Sequence, residues 1–179
     1  GQHGCTLIND SYNSDINSLD IALDFMSRRP DQEGKSRTLI LSDIYQSGVT
    51  PHELYHRVME LAVKRGVTKF IGIGKEIKRI LADEGGGQIA GDQTAKLPGT
   101  VAFFFEDVEE FLRSEVFKGL RNEVVLIKGA RDFGFDHISE MLEQKVHETI
   151  LEVNLNAVVE NLNHFRSFMK PDTKMICMV

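Results

Sequence analysis

Short, largely apolar runs rich in strand-forming residues alternate along this chain with stretches in which apolar residues recur every third or fourth place. The apolar runs predict strands at Cys5 to Asn9, Thr38 to Ser42, Lys69 to Ile73, Val101 to Phe105 and Val124 to Lys128. Between and after them, the helical period predicts helices near Ser18 to Arg28, Pro51 to Arg65, Lys75 to Ala82, Val108 to Phe117 and Phe135 to Gln144. In the first helix Leu19, Ala22, Leu23 and Met26 form one apolar face. Thr50 is placed to cap the second, with Pro51 as its first residue and Gly66 as its terminator. Strands apolar on both faces, each followed by a helix, predict an α/β fold. Its core is a doubly wound, mostly parallel, Rossmann-like sheet flanked by helices.

Two stretches depart from this rhythm. Asp83 through Gly99 contains Gly85, Gly86 and Gly87 but no Lys-Ser/Thr pair and no helix directly after, so it reads as flexible linkage. After Lys145 a strand-like segment, His147 to Asn154, precedes an amphipathic helix with Leu155, Val158, Val159, Leu162 and Phe165 on one side. Lys170 to Thr173 then turns into an apolar end, Lys174 to Val179, expected to be a strand. The expected organisation is a domain over 1–145 and a strand–helix–strand appendage over 146–179.

The bulk properties narrow the function classes. With 179 residues, 41% of them hydrophobic, the chain has enough apolar material for one ordinary core. A net charge of −6 and a pI near 5.5 argue against a nonspecific nucleic-acid binder, which needs a basic face. Cys5 and Cys177 read as small apolar residues in a reducing, cytoplasmic setting rather than as a disulfide. There is no apolar run of membrane-crossing length and no signal peptide. The start without Met and the apolar finish lead us to expect an excised piece of a longer polypeptide.

The candidate chemistry lies where strands open onto helices, the edge at which α/β proteins bind ligands. After the first strand, Asp10 could accept from ribose hydroxyls, Tyr12 could stack on a base and Asn13 could bond a ring edge. Alternatively Asp10, Ser11 or Ser14 caps the following helix. Asp43, ending the second strand, could hold a ribose or position a metal-bound water, or could be a turn aspartate closed by Gly48. After the fifth strand, Gly129 and Gly134 would let backbone approach a ligand. Lys128 and Arg131 offer positive charge to a carboxylate or phosphate, unless Arg131 simply pairs with Asp132 or Asp136. His52 and His56 share a helix face but lack a third ligand, which favours a solvated surface over a metal site. No P-loop, dinucleotide-binding glycine pattern or local nucleophile signature is present, so self-contained catalysis is not expected.

In order and spacing, the three loops resemble the C-terminal domain of the Mur ligases of peptidoglycan synthesis, over about residues 5–145. The family pattern Asp-Ser-Tyr-Asn-Ala-Asn-Pro-x-Ser-Met is met by Asp10-Ser11-Tyr12-Asn13-Ser14-Asp15-Ile16-Asn17-Ser18-Leu19. The pattern Gly-Asp-Met-x-Glu-Leu-Gly is met loosely by Ser42-Asp43-Ile44-Tyr45-Gln46-Ser47-Gly48, and Val-Lys-Gly-Ser-Arg by Ile127-Lys128-Gly129-Ala130-Arg131. Asp15-Ile16 in place of Asn-Pro, Gln46-Ser47 in place of Glu-Leu and Ala130 in place of Ser are departures. The resemblance implies that Asp10, Tyr12 and Asn13 face the adenosine of ATP, and that Lys128, Gly129 and Arg131 lie near the carboxylate of an incoming D-alanyl-D-alanine. It implies a UDP-muramoyl-tripeptide as co-substrate. It also implies that ATP and magnesium are held mainly by N-terminal and central ligase domains outside this chain.

Thr149 to Ala157 through Leu162 resembles the opening of a fold-type III alanine racemase. There a lysine carrying pyridoxal phosphate (PLP) directly follows a strand like Lys174 to Val179. The two resemblances together imply a ligase–racemase fusion, with this fragment inactive alone and able to form a homodimer through 147–179. An independent nucleotide-binding module and a pure interaction domain are the alternatives.

Overall fold

A computed structural model describes residues 1–29, 34–45, 48–84, 94–97, 99–143 and 153–176. The chain divides into two units, Gly1–Gln144 and Lys145–Val179.

The first unit is built on a sheet of five parallel strands and one antiparallel edge strand. In chain order the strands are β1 (Thr6–Asp10), β2 (Ser36–Ser42), β3 (Lys69–Ile73), β4 (Thr94–Leu97), β5 (Thr100–Phe105) and β6 (Glu123–Lys128). They lie side by side as β1-β6-β2-β3-β5-β4. Helices α1 (Ile16–Ser27), α2 (Pro51–Lys64), α3 (Lys75–Glu84), α4 (Val108–Arg113), α5 (Glu115–Lys118) and α6 (Asp136–Leu142) connect or follow them. The expected α/β fold is present. β6, threaded between β1 and β2, is buried along its whole length, and this explains why its sequence is apolar on both parities.

Two hydrophobic clusters cover the sheet. One gathers Leu19, Leu23 and Met26 of α1 with Leu54, Tyr55 and Val58 of α2, against Leu39, Leu41, Val124 and Leu126. The other gathers Ile40, Ile71, Val125 and Ile127 with Phe111, Phe135, Ile138 and Leu142. Consecutive residues of β2 and β6 thus feed opposite clusters, as the alternation of a strand demands. Across α1 and α2, Arg65 reaches Asp20 at 2.6 Å and Asp24 at 2.5 Å.

The helix ends follow the local chemistry. Thr50 Oγ1 accepts from the Glu53 N–H at 3.3 Å. Gly66 takes φ 74° while the Val67 N–H returns to the Ala62 carbonyl, closing α2 in the manner anticipated. The single helix expected over Val108 to Phe117 is instead two. Ser114 is extended, donates its hydroxyl to the Phe111 carbonyl at 2.6 Å and accepts from the Phe117 N–H at 3.2 Å. A serine that satisfies both flanking turns replaces the helical bonds it interrupts.

The glycine-rich linkage also needs correction at both ends. α3 continues to Glu84, and Thr94–Leu97 is a strand that pairs antiparallel with β5 through a turn at Gly99 (φ 79°). A four-residue edge strand carries too little apolar patterning to be seen in sequence, yet it covers the backbone groups β5 would leave open. Gly85, Gly86 and Gly87 lie outside the described residues.

In the second unit, α7 (Leu155–Ser167) is capped by Asn154, whose Oδ1 accepts from the Ala157 N–H at 3.1 Å. Leu155, Val158, Val159 and Phe165 are exposed. Lys174 to Ile176 is not a strand, contrary to expectation. His147 to Glu152 and Cys177 to Val179 lie outside the described residues. Among the described residues no helix is long and apolar enough to cross a membrane.

Candidate functional site

Because β1, β6 and β2 are parallel neighbours, the loops that follow them open side by side at one edge of the sheet. The register puts Asp10 opposite Lys128, and there the two ends are tied. Lys128 Nζ lies 2.9 Å from Asp10 Oδ2, with the lysine side chain fully buried and the aspartate 42% exposed. The same ammonium donates to the Asn13 backbone carbonyl. Lys128 therefore grips the β1–α1 loop from below rather than standing free at the surface. Ser11 closes the turn internally, its N–H and hydroxyl both donating to Asn9 Oδ1 at 3.2 and 2.6 Å.

The helix that follows is capped by none of the three residues proposed from sequence. Asp15 accepts from the N–H groups of Asn17 and Ser18 at 3.0 and 2.9 Å, and from the Ser18 hydroxyl at 2.5 Å. The Ser18 hydroxyl and then the Ser18 N–H hold the Asp15 carboxyl below the usual aspartate range. Asp15 stands where the Mur pattern has asparagine, and aspartate caps as well. Capping is thus discharged one residue beyond the loop, leaving Tyr12 and Asn13 exposed. Tyr12 is 67% exposed. Ser14 buries its hydroxyl without a hydrogen-bond partner among the described residues.

The β6–α6 loop is held from the other side. Ser42, fully buried at the end of β2, accepts the Ala130 N–H on its hydroxyl at 2.9 Å and donates that hydroxyl to the Asp43 carbonyl at 2.9 Å. Gly129 is buried because the Phe135 ring occupies its flank. A Cβ there would lie 2.5 Å from the ring. Its missing side chain serves packing, and Gly134 takes the left-handed conformation (φ 65°) that ends the 3-10 turn Arg131–Phe133. Arg131 is exposed, and its guanidinium carbon lies 5.9 Å from the centre of the Tyr12 ring. Among the described residues it pairs with neither Asp132 nor Asp136.

Asp43 is used differently from either sequence reading. Nearly fully buried, it accepts from the N–H groups of Glu76 and Ile77 at 3.2 and 2.8 Å, and from the Tyr55 hydroxyl at 3.3 Å. It caps α3 from across the sheet, where the helix dipole favours an anion. Burial first, and then the Asp43 charge, push the Tyr55 phenol far above its ordinary range. Gly74 makes this approach possible, since a Cβ there would sit 2.4 Å from the Asp43 carboxylate. Gln46 and Ser47 lie outside the described residues.

Sequence reasoning missed a further aromatic at this rim. Tyr45 is 53% exposed, with its ring 6.0 Å from Phe133, which in turn lies 6.1 Å from Phe135. The rim thus presents an exposed tyrosine beside a guanidinium, a half-exposed carboxylate at Asp10 and a second exposed tyrosine. Flat rings and anions are the groups such a surface holds. Among the described residues no cluster of three His, Cys, Asp or Glu side chains could hold a metal ion. His56 of the helical pair faces Glu60 at 3.7 Å.

The chain is 22% identical over 138 residues to the UDP-N-acetylmuramoyl-tripeptide–D-alanyl-D-alanine ligase of Escherichia coli. The similarity supports a Mur ligase-like domain. The aligned part makes up 77% of this chain but only 27% of that enzyme, so the match spans about a quarter of the relative's length. No family model matches the chain.

Proposed function

We propose that residues 1–145 are the C-terminal lobe of an ATP-dependent ligase that joins D-alanyl-D-alanine to a UDP-muramoyl-tripeptide in the cytoplasm. The observation that carries this reading is the meeting of Tyr12 and Arg131 at the strand edge where ligands bind in open α/β sheets. The exposed Tyr12 ring is available to stack on adenine, and the Asn13 side chain beside it forms no hydrogen bond among the described residues. The open half of the Asp10 carboxylate is available to ribose hydroxyls. Arg131 offers two parallel N–H groups to the dipeptide carboxylate. Lys128 and Gly129 lie buried beneath that side of the rim and support it.

ATP supplies the phosphoryl group that activates a carboxylate for amide formation. This chain's residues orient the nucleoside and the dipeptide, an entropic contribution that can amount to several kcal/mol of the barrier. The resemblance to the Mur ligases assigns magnesium to domains outside this chain. The lobe closes over a central domain by a hinge motion and shows no turnover by itself.

The second unit we read as the opening of an alanine racemase, whose PLP would be carried by a lysine beyond Val179. The tail supports this only through its sequence resemblance. Sequencing the parent reading frame tests both halves. A Gly-x-x-x-x-Gly-Lys-Ser/Thr loop upstream of Gly1 and Lys as the first codon after Val179 are expected. An upstream frame without a phosphate loop overturns the ligase reading, and another residue after Val179 overturns the racemase reading.

A further inference from the structure

Within the proposed site, whose reading this inference deepens, two side chains are too deeply placed to meet a ligand and yet control the ones that do. Lys128 is fully buried and spends its ammonium on Asp10 Oδ2 and the Asn13 carbonyl. Ser42 is fully buried and spends its hydroxyl on the Ala130 N–H and the Asp43 carbonyl. One fixes the loop that carries Tyr12, and the other fixes the turn that carries Arg131. We propose that Lys128 and Ser42 are positioning residues that hold Arg131 over the Tyr12 ring, and that this pair, not Lys128, receives the anionic ligand.

The physical case rests on what each loop would do without its anchor. The β1–α1 loop is five residues long between Asp10 and Ile16; at its start the Ser11 hydroxyl donates to Asp136 Oδ1 at 3.4 Å, and at its middle the Asn13 carbonyl is held by Lys128. Freed from it, Tyr12 regains backbone and rotamer freedom worth about as much as an exposed cation–π contact supplies. The Ala130 N–H is the last backbone donor before the Arg131 turn. Its bond to Ser42 joins β2 to β6 beyond the end of their ladder, where Leu41 is the last β2 residue paired, to Lys128. This chain has Ser42 and Ala130 where the Mur pattern has glycine and serine. A hydroxyl is thus present on β2 and absent from the β6 turn, and it bonds the backbone across the gap.

The test reads geometry and binding separately. In the full 179-residue chain the Arg131 side-chain protons carry a ring-current shift from Tyr12, defined by comparison with Tyr12→Leu. Ser42→Ala and Lys128→Met are expected to lose at least half of that shift while the amide spectrum stays dispersed. Ser42→Thr, which keeps the hydroxyl, is expected to retain it. Full retention in Ser42→Ala overturns the assignment for Ser42, and full retention in Lys128→Met overturns it for Lys128. If Lys128→Met does not fold, Lys128→Gln is read in its place, and the Ser42 pair stands independently. D-alanyl-D-alanine is then titrated into wild type and Ser42→Ala. Loss of the ring-current shift together with an unmoved Arg131 signal in wild type supports the positioning role and overturns the ligase reading.

Discussion

The Asp10–Lys128 pair makes an asymmetric prediction about stability. The two charges are 2.9 Å apart, but Lys128 is fully buried whereas Asp10 is 42% exposed. Asp10→Asn leaves an ammonium buried with only the Asn13 carbonyl and a neutral amide for company. Breaking a buried pair from one side costs about 3–5 kcal/mol, and the remaining partners place this case near 3 kcal/mol. Lys128→Met removes the buried charge itself, fills the same channel with a chain of similar volume, leaves the 42% exposed Asp10 to water and frees the Asn13 carbonyl of its donor. Its cost is that of a hydrogen bond or so, about 1 kcal/mol. With a urea slope of about 2 kcal/mol per molar, the midpoints should fall by about 1.5 M and 0.5 M respectively. Urea unfolding followed by circular dichroism checks this. Equal losses, or a larger loss in Lys128→Met, would refute the claim that Lys128 is the buried member of the pair.

Other expectations follow from the same packing. Gly74→Ala should cost about 3 kcal/mol by driving a Cβ into the Asp43 carboxylate at positive φ; its urea midpoint would also expose the loosening of α3. Asp15→Ala should cost about 1 kcal/mol at neutral pH. Because the folded carboxyl is held below its unfolded value, that advantage is full above the unfolded range and fades as pH falls through the folded one. Stability curves of the two proteins should therefore converge in acid, and parallel curves would speak against the cap. Val159→Glu, on the exposed apolar side of α7, should convert a tail-mediated homodimer to monomer in sedimentation, with a wild-type monomer ruling the dimer out.

Most of the sheet was legible because the central stretches of β2, β3 and β6 are buried on both faces, and their middles are correspondingly apolar on both parities. The edge strand at Thr94–Leu97 was not, since four residues, half of them polar, are too few to establish a period. The break at Ser114 was hidden for a related reason: the apolar spacing of Val108, Phe111 and Leu112 runs smoothly into Val116 and Phe117, while the interruption is a local hydroxyl bond. At the site, sequence placed three loops on one edge and named Tyr12 and Arg131, which lie together. It could not foresee that Asp43 turns inward to α3, that Asp15 does the capping, or that Lys128 is consumed by Asp10. Each of those outcomes depends on which element packs beside the residue, and residue type alone does not encode that.

The central claim is that this strand edge receives a nucleotide on the Tyr12 side and a peptide carboxylate on the Arg131 side. Two titrations of isotope-labelled chain, with ATP and with D-alanyl-D-alanine, followed by amide and side-chain shifts, test it directly. ATP is predicted to move Tyr12 and Asn13, the dipeptide to move Ala130 and Arg131, and Arg131→Gln to abolish only the second response. Shifts confined to the far end of the sheet around Glu123, or no response to either compound at millimolar concentration, would contradict it.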